Sequence, residues 1–185
     1  MTSRGLAYPD PELTDGVVRL RKWSEDDLGC IEEASHDRAI TEGTTVPPVF
    51  TPEEGRAFVH RQWSRINDGV AVSFAVADAE TDRAQGLVIL PVRPQNGVAG
   101  LGYWLGYWLA ASARGRGRAT RAVRLISDWA LRDLSMQRVE AWVEPDNVAS
   151  QQVLRHAGFD KEGRLRNFLE LDGRRTDALV FSRIP

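Results

Sequence analysis

Gly106-Tyr-Trp-Leu-Ala-Ala-Ser-Ala-Arg-Gly-Arg-Gly-Arg-Ala-Thr120 joins an aromatic strand to the start of an amphipathic helix through a glycine-arginine loop. Gly115 and Gly117 permit left-handed or tightly curved backbone, and let the chain approach a ligand closely. Their amides can then converge on one anion, as concave runs of backbone N–H groups do. The helix that follows opens between Gly117 and Thr120, so its unpaired first-turn N–H groups and the positive end of its dipole face the same place. Arg114, Arg116, Arg118, Arg121 and Arg124 surround the loop, and no Asp or Glu occurs between Ala110 and Ser127. The plainer reading is a solvated helix start with arginines for solubility. The strand before the loop and the helix after it favour a pyrophosphate cradle instead.

Outward from this loop the chain alternates strand and helix patterns. Val17–Trp23 reads as a first strand, and Ser24 with Asp27 three positions on opens a helix like a capping box with Asp in place of Glu. Residues 41 to 50, with Gly43, Pro47 and Pro48, read as a loop, and Thr51-Pro52 starts a second helix with the apolar stripe Ala57, Phe58, Trp63 and Ile66. Val72–Asp78 and Ala84–Val92 form a hairpin, and Leu101–Leu109 adds a strand. Ala122, Val123, Ile126, Trp129, Ala130 and Leu134 recur at helical spacing over 118 to 134. Val139–Val143 alternates as a strand, Asn147–Ala157 is a short helix ended by Gly158, and two strands meet across Asp172-Gly173. The order is mixed α/β. Gly-Tyr-Trp-Leu occurs twice, at 102–105 and 106–109, which leaves strand register open by four positions.

A chain of 185 residues fits one domain, since proteins of this size bury about 70% of their unfolded surface. A net charge of −2 with 42% hydrophobic residues calls for neither nucleic acid nor an anionic membrane. The single Cys30 and the scattered His36, His60 and His156 assemble neither a disulfide framework nor a metal site. The first ten residues lack the apolar core of a secretion signal, and no apolar run approaches the ~20 residues of a membrane span, so a cytoplasmic protein is expected.

Arg114-x-x-Gly117-x-Ala119 resembles the Arg/Gln-x-x-Gly-x-Gly/Ala acetyl-CoA loop of the GNAT N-acetyltransferases, with Gly106-Tyr-Trp-Leu109 at the spacing of the preceding strand. Arg138–Glu144, Asn147-Val-Ala-Ser150, Gly158-Phe159, Glu162–Arg166, Asp172-Gly173 and Asp177 are similar to the branch containing the RimJ/RimL ribosomal-protein N-terminal acetyltransferases. The resemblance spans about residues 14 to 183. It implies one mixed α+β domain over 1–185, with 1–13 as a flexible extension. It further implies a twisted, mostly antiparallel sheet of six to seven strands flanked by about four helices, splayed between the fourth strand (101–109) and the fifth (139–143).

The resemblance also implies a reaction: direct acetyl transfer from acetyl-CoA to an amine, a protein N-terminus or a small molecule, with no metal. The loop Arg114, Gly115, Arg116, Gly117, Arg118, Ala119 and Thr120 would hold the cofactor phosphates. Backbone groups around Leu109 would meet the pantetheine arm and thioester oxygen, and Asn147 the same region, while Arg155 would reach a CoA phosphate. Ser150 falls where the branch places a hydroxyl near the sulfur, as proton donor or hydrogen-bond partner of the thiolate. Without the resemblance, Asn147 reads as an N-cap and Ser150 as a solvated first-turn residue.

Tyr107 and Trp108 point to opposite faces of one strand, so at most one faces the cleft. The branch often has a carboxylate near the Gly-Tyr-Trp motif, yet Leu101–Leu109 contains none. Glu42, Glu140 and Glu144 stay open as bases, with Glu42 the choice. The acceptor wall falls to the first helices, their loop and the final hairpin. A homodimer stays open as an assembly state. A non-catalytic acyl-CoA-binding or regulatory protein is the main alternative; a nucleic-acid binder would need a broader basic face.

Overall fold

The computed structural model describes residues 7–94, 101–104, 106–171 and 173–185. In chain order the elements are β1 (Leu13–Thr14), β2 (Val18–Arg21), α1 (Leu28–Ser35), α2 (Arg38–Gly43), α3 (Pro52–Asn67), β3 (Ala71–Asp78), β4 (Ala84–Pro94), β5 (Leu101–Trp104), β6 (Gly106–Leu109), α4 (Arg118–Arg132), β7 (Val139–Val143), α5 (Val148–His156), β8 (Asp160–Leu171) and β9 (Arg174–Arg183). Helix starts follow their caps. Ser24 and Asp27 form a reciprocal capping box ahead of α1, and the Thr51 hydroxyl accepts from the Glu54 N–H with Pro52 in the first turn of α3. α2 occupies part of the stretch expected to be a loop. The Asp37 carboxylate accepts from the Ala39 N–H and caps a helix of six residues there, which raises the α-helices to five among the described residues.

The strands form one sheet in the order β1-β2-β3-β4-β5-β7-β9-β8, with β6 also on β4, and among the described residues only the β5–β7 pair is parallel. β4 pairs with β6 from Gly86↔Leu109 to Ile89↔Gly106, and with β5 from Val92↔Tyr103 to Pro94↔Leu101. Both pairings keep one register, so the tandem Gly-Tyr-Trp-Leu copies follow each other along one strand direction. Counted this way, seven strands longer than the two-residue β1 make the sheet, as expected. β7 meets β5 at Tyr103↔Val139 and Trp104↔Glu140, and no pairing joins β6 to Ala141–Val143 among the described residues. The sheet therefore splays at the second Gly-Tyr-Trp-Leu copy, beside the arginine loop.

Two apolar layers cover the sheet. Val18, Leu20, Phe74, Ile126, Trp129, Leu154 and Phe181 pack under α4 and α5, while Trp23, Ile31, Phe58, Val59, Ala75 and Trp108 pack under α1 to α3. β3 supplies both layers, which is why it is buried without a break from Ala71 to Ala77 rather than on alternate residues. Each fully buried side chain of Ile126 or Phe74 size contributes about 1.5–3 kcal/mol of transfer free energy. The stretch expected to be a loose N-terminal extension is held from Tyr8 onward: its ring packs edge-on against Phe74, its hydroxyl donates to the Ser73 carbonyl at 3.1 Å, and Leu13 pairs with Leu20. Among the described residues no helix is long and apolar enough to cross a membrane, and no cluster of His, Cys, Asp and Glu could hold a metal ion.

Candidate active site

The loop between β6 and α4 takes the shape that its glycines allow. Gly115 has φ 76° and Gly117 φ 70°, and Gly117 stands as the N-cap of α4 with no side chain capping the helix. The first-turn amides of Arg118, Ala119 and Thr120 thus lack the Ser, Thr, Asp or Asn partner that most helix starts supply. A Cβ built on Gly115 or Gly117 would project into open space. The protein does not need these glycines for internal packing; it needs them for the left-handed turn, which leaves the amides facing outward.

The loop arginines are mostly engaged. Arg114 Nε donates to the Leu109 carbonyl at 3.0 Å, and its Nη2 to the Asp37 carboxylate, the residue that caps α2. Arg118 Nη1 donates to Asp78 at 2.8 Å and to Gln85, and Arg121 Nη1 to Asp15 at 2.8 Å. Glu33 of α1 accepts from the Ser112 N–H at 2.7 Å and its hydroxyl at 2.9 Å. Arg116 is exposed and makes no ion pair among the described residues. N–H donation from Thr81 and the Arg118 guanidinium hold the Asp78 carboxyl down to about 2. Burial works against Asp37, but Arg114 and the Ala39 and Ile40 amides outweigh it and keep its carboxyl below the usual range. Carboxylates from four elements or their flanks therefore brace the cradle.

Across the splay, Asn147 Oδ1 caps α5 by accepting from the Ser150 N–H at 3.0 Å. The Tyr107 hydroxyl donates to the Ser150 carbonyl at 3.2 Å, tying β6 to the first turn of α5. Burial pushes the Tyr107 phenol up to about 12, so it is a donor and not a base at neutral pH. Of the two motif aromatics, Tyr107 thus faces the Ser150 side, and Trp108 packs with Trp23 and Phe58 on the other. Arg155 lies with its guanidinium 5.7 Å over the Phe181 ring. Glu42 sits on α2, not in a loop, and is ion-paired one turn back with Arg38. Glu140 is paired with Arg138, at 2.5 Å.

Four participants escaped the sequence reading. Asp37, Glu33 and Asp78 brace the loop from 77, 79 and 40 residues away, a separation that local pattern does not reveal. Gly86 did carry a signal, an isolated glycine inside a strand. A Cβ there would stand 2.2 Å from the Trp108 carbonyl oxygen, so only glycine lets β6 approach β4 this closely.

Residues 18–160 match the acetyltransferase (GNAT) domain family. This chain belongs to the GNAT acetyltransferases. It is similar to the uncharacterized N-acetyltransferase p20 of Bacillus licheniformis, 30% identical over 168 residues that cover 89% of this chain and 91% of that one. Among solved structures it resembles Mycobacterium smegmatis RimJ in complex with CoA-disulfide, with TM-score 0.77 and 25% identity over 94% of this chain and 84% of that one. The Microcin C7 self immunity acetyltransferase MccE, in complex with acetyl-CoA and AMP, shares the fold at TM-score 0.79 and 17% identity, over 95% of this chain and all of that one. The protein is a GNAT-family N-acetyltransferase, and a fold alone does not select the amine.

Proposed function

We propose that the protein moves an acetyl group from acetyl-CoA directly to the primary amine of a protein N-terminus or small molecule, in the cytoplasm. The observation that carries this reading is the uncapped start of α4, behind two left-handed glycines and beside the splayed β6. Bound there, acetyl-CoA supplies an activated thioester. The amides of Gly115 to Thr120 hold its pyrophosphate, with Arg116 as the side chain at liberty to add charge. The Arg118 pairs with Asp78 and Gln85 keep the loop seated on the sheet. Leu109 backbone and Asn147 line the thioester end, and Arg155 stands further along α5 for a phosphate.

The Ser150 hydroxyl donates a hydrogen bond to the departing sulfur, which leaves as a thiolate and takes its proton from solvent. The Ser150 amide and carbonyl are fixed by Asn147 and Tyr107, which leaves the hydroxyl as the only group of that residue still to be used. Thiols have pKa near 8.5, so this help is modest compared with what an alkoxide would need. Glu42 takes the amine's proton on the acceptor side. Its exposed pair with Arg38, of the kind worth about 0.3–0.5 kcal/mol, does not prevent that. A coupled thiol-release assay with acetyl-CoA against amines and N-terminal peptides tests the reading. Acceptor-dependent thiol release supports it, whereas acetyl-CoA binding with no release for any amine identifies a non-catalytic acyl-CoA binder.

A further inference from the structure

Half-buried arginines in this protein are met by carboxylates. Arg19 and Arg21 meet Asp82 and Asp27, Arg118 meets Asp78, Arg138 meets Glu140 and Glu162, and Arg183 meets Asp128. Among the described residues Arg65 of α3 is the exception: it is half-buried, makes no ion pair, and its Nε is buried without a hydrogen-bond partner. A buried donor left unmet costs about 1–3 kcal/mol, more when charged. Arg61 stands one turn earlier on the same face, and like charges at that spacing add a further penalty. Burial and the Arg61 charge together lower the Arg65 pKa. The Trp23 and Trp108 indole N–H groups are also buried without a partner, but Arg65 is the one such group that carries a charge, and a conflict of this kind marks a place where something else supplies the missing countercharge.

The two arginines lie along a shallow, open groove on the outer face of α3, with His60, Ser64 and Asp68. His60 is engaged by Glu25 at 2.6 Å, and Asp68, at the far end, forms no ion pair with Arg65. One contact ties this face to the segment expected to wall the acceptor. Arg61 Nη2 donates to the Thr45 carbonyl at 3.1 Å, in the segment between α2 and α3. The same guanidinium lies 6.0 Å from the Phe58 ring, which in turn lies 6.4 Å from Trp108, the residue before Leu109. These contacts join Arg61, through two buried core rings, to the strand beside the proposed thioester site, and Arg61 also holds the segment between α2 and α3.

We propose that Arg61 and Arg65 form an anion subsite of the acceptor pocket, so that the preferred amine carries a carboxylate at some distance from its reacting nitrogen. This rests on the acetyl-transfer reading above and narrows it. The carboxylate belongs either to an Asp or Glu close behind a peptide N-terminus or to a small amine acid, and both present the same group to a guanidinium fork.

The test uses the whole enzyme with paired acceptors: N-terminal peptides differing only as Glu or Gln at their second and third positions, and free amino acids beside their amides. The wild type is expected to favour the acidic member of a pair through KM. Arg65→Gln should raise KM for that member about tenfold, the loss of one charge-assisted contact, and leave the neutral member and acetyl-CoA unchanged. Melting temperature should stay level or rise, because a like-charge contact is removed. Peptides alone responding places the carboxylate in a protein N-terminus; amino acids alone responding places it in a small metabolite. Equal KM values within pairs, or an equal change for both members in Arg65→Gln, overturns the subsite. If no amine is acetylated, the transfer reading fails, and anisotropy of labelled Glu and Gln peptides on the CoA-bound protein decides the subsite separately. Glu-selective binding lost in Arg65→Gln upholds it, and absent or unselective binding overturns it.

Discussion

The cofactor loop and the outer face of α3 both gather arginines, and use them in opposite ways. At the loop, Arg114, Arg118 and Arg121 are each met by a carboxylate, and the groups left over for a ligand are backbone amides with the single guanidinium of Arg116. On α3 the backbone is satisfied within the helix, and the groups left over are the guanidinium of Arg65 and part of that of Arg61. A backbone anion site is cheap in charge and fixed in shape, so it suits a phosphate common to every turnover. A side-chain site is adjustable by substitution, so it suits an acceptor that differs between related enzymes.

The largest effect that would sharpen this contrast falls on the chemical step between the two regions. Ser150→Ala removes Oγ alone, because the residue's contacts with Asn147 and Tyr107 use its amide and carbonyl. It should lower kcat by about 10²-fold with acetyl-CoA affinity nearly unchanged. Turnover preserved within about twofold would show that the sulfur leaves unassisted. An equal loss of CoA binding would make Ser150 a pantetheine contact instead.

Next in size is the backbone cradle. Gly117→Asp places a carboxylate among the amides and forces a side chain onto φ 70°, a conformation that costs most L residues about 1–2 kcal/mol. Acetyl-CoA affinity should fall at least tenfold, or ~1.4 kcal/mol, by calorimetry. Intact binding would remove the loop from the cofactor site.

How far the sequence could be read follows the same division. Gly115, Gly117 and the strand and helix on either side lie within fifteen residues, so their spacing alone pointed to the left-handed turn and uncapped helix start that the structure shows. Trp129, Ile126 and their helical stripe likewise placed α4 on the sheet. What could not be read were partners brought together by tertiary folding. Asp37 reaches Arg114, and Phe58 reaches Trp108, only after α1 to α3 have docked. Glu42 was misplaced for a local reason: Gly43 and two prolines signal a loop, but the Asp37 cap carries a short helix through to Gly43 before that loop begins. The exposed Arg65 charge expected of any surface helix became informative only once its missing carboxylate was visible.

A smaller effect separates the acceptor wall from the fold. Val49 is 74% exposed, whereas Phe50 packs where a Cβ on Gly55 would stand 2.9 Å from its ring. Val49→Ala should raise acceptor KM about two- to threefold, leaving melting temperature and CoA affinity alone; ~0.4–0.6 kcal/mol is less than one fully buried methylene. Phe50→Ala should lower melting temperature as well. Val49→Ala shifting both ligands equally would mean that the 44–50 segment supports the fold and lines no pocket.

The smallest expected change has the most informative sign. Arg114 stands at the first position of the loop motif, yet its Nε is spent on the Leu109 carbonyl and its Nη2 on Asp37. If Asp37 merely competes with phosphate for Arg114, Asp37→Asn frees the guanidinium and removes a negative charge near the cradle, and both changes tighten acetyl-CoA. If Arg114 is instead a strut between β6 and α2, loss of the Asp37 charge loosens the strut and acetyl-CoA binds more weakly despite the improved field. The bridging geometry favours the strut. Asp37→Asn is therefore expected to weaken acetyl-CoA about twofold, ~0.4 kcal/mol, within the range measured for exposed pairs. The effect should vanish in an Arg114→Ala background, because two residues that act through one contact are not additive. Tighter binding in Asp37→Asn would return Arg114 to the phosphate, and would make the loop resemble the α3 face more closely than the present contrast allows.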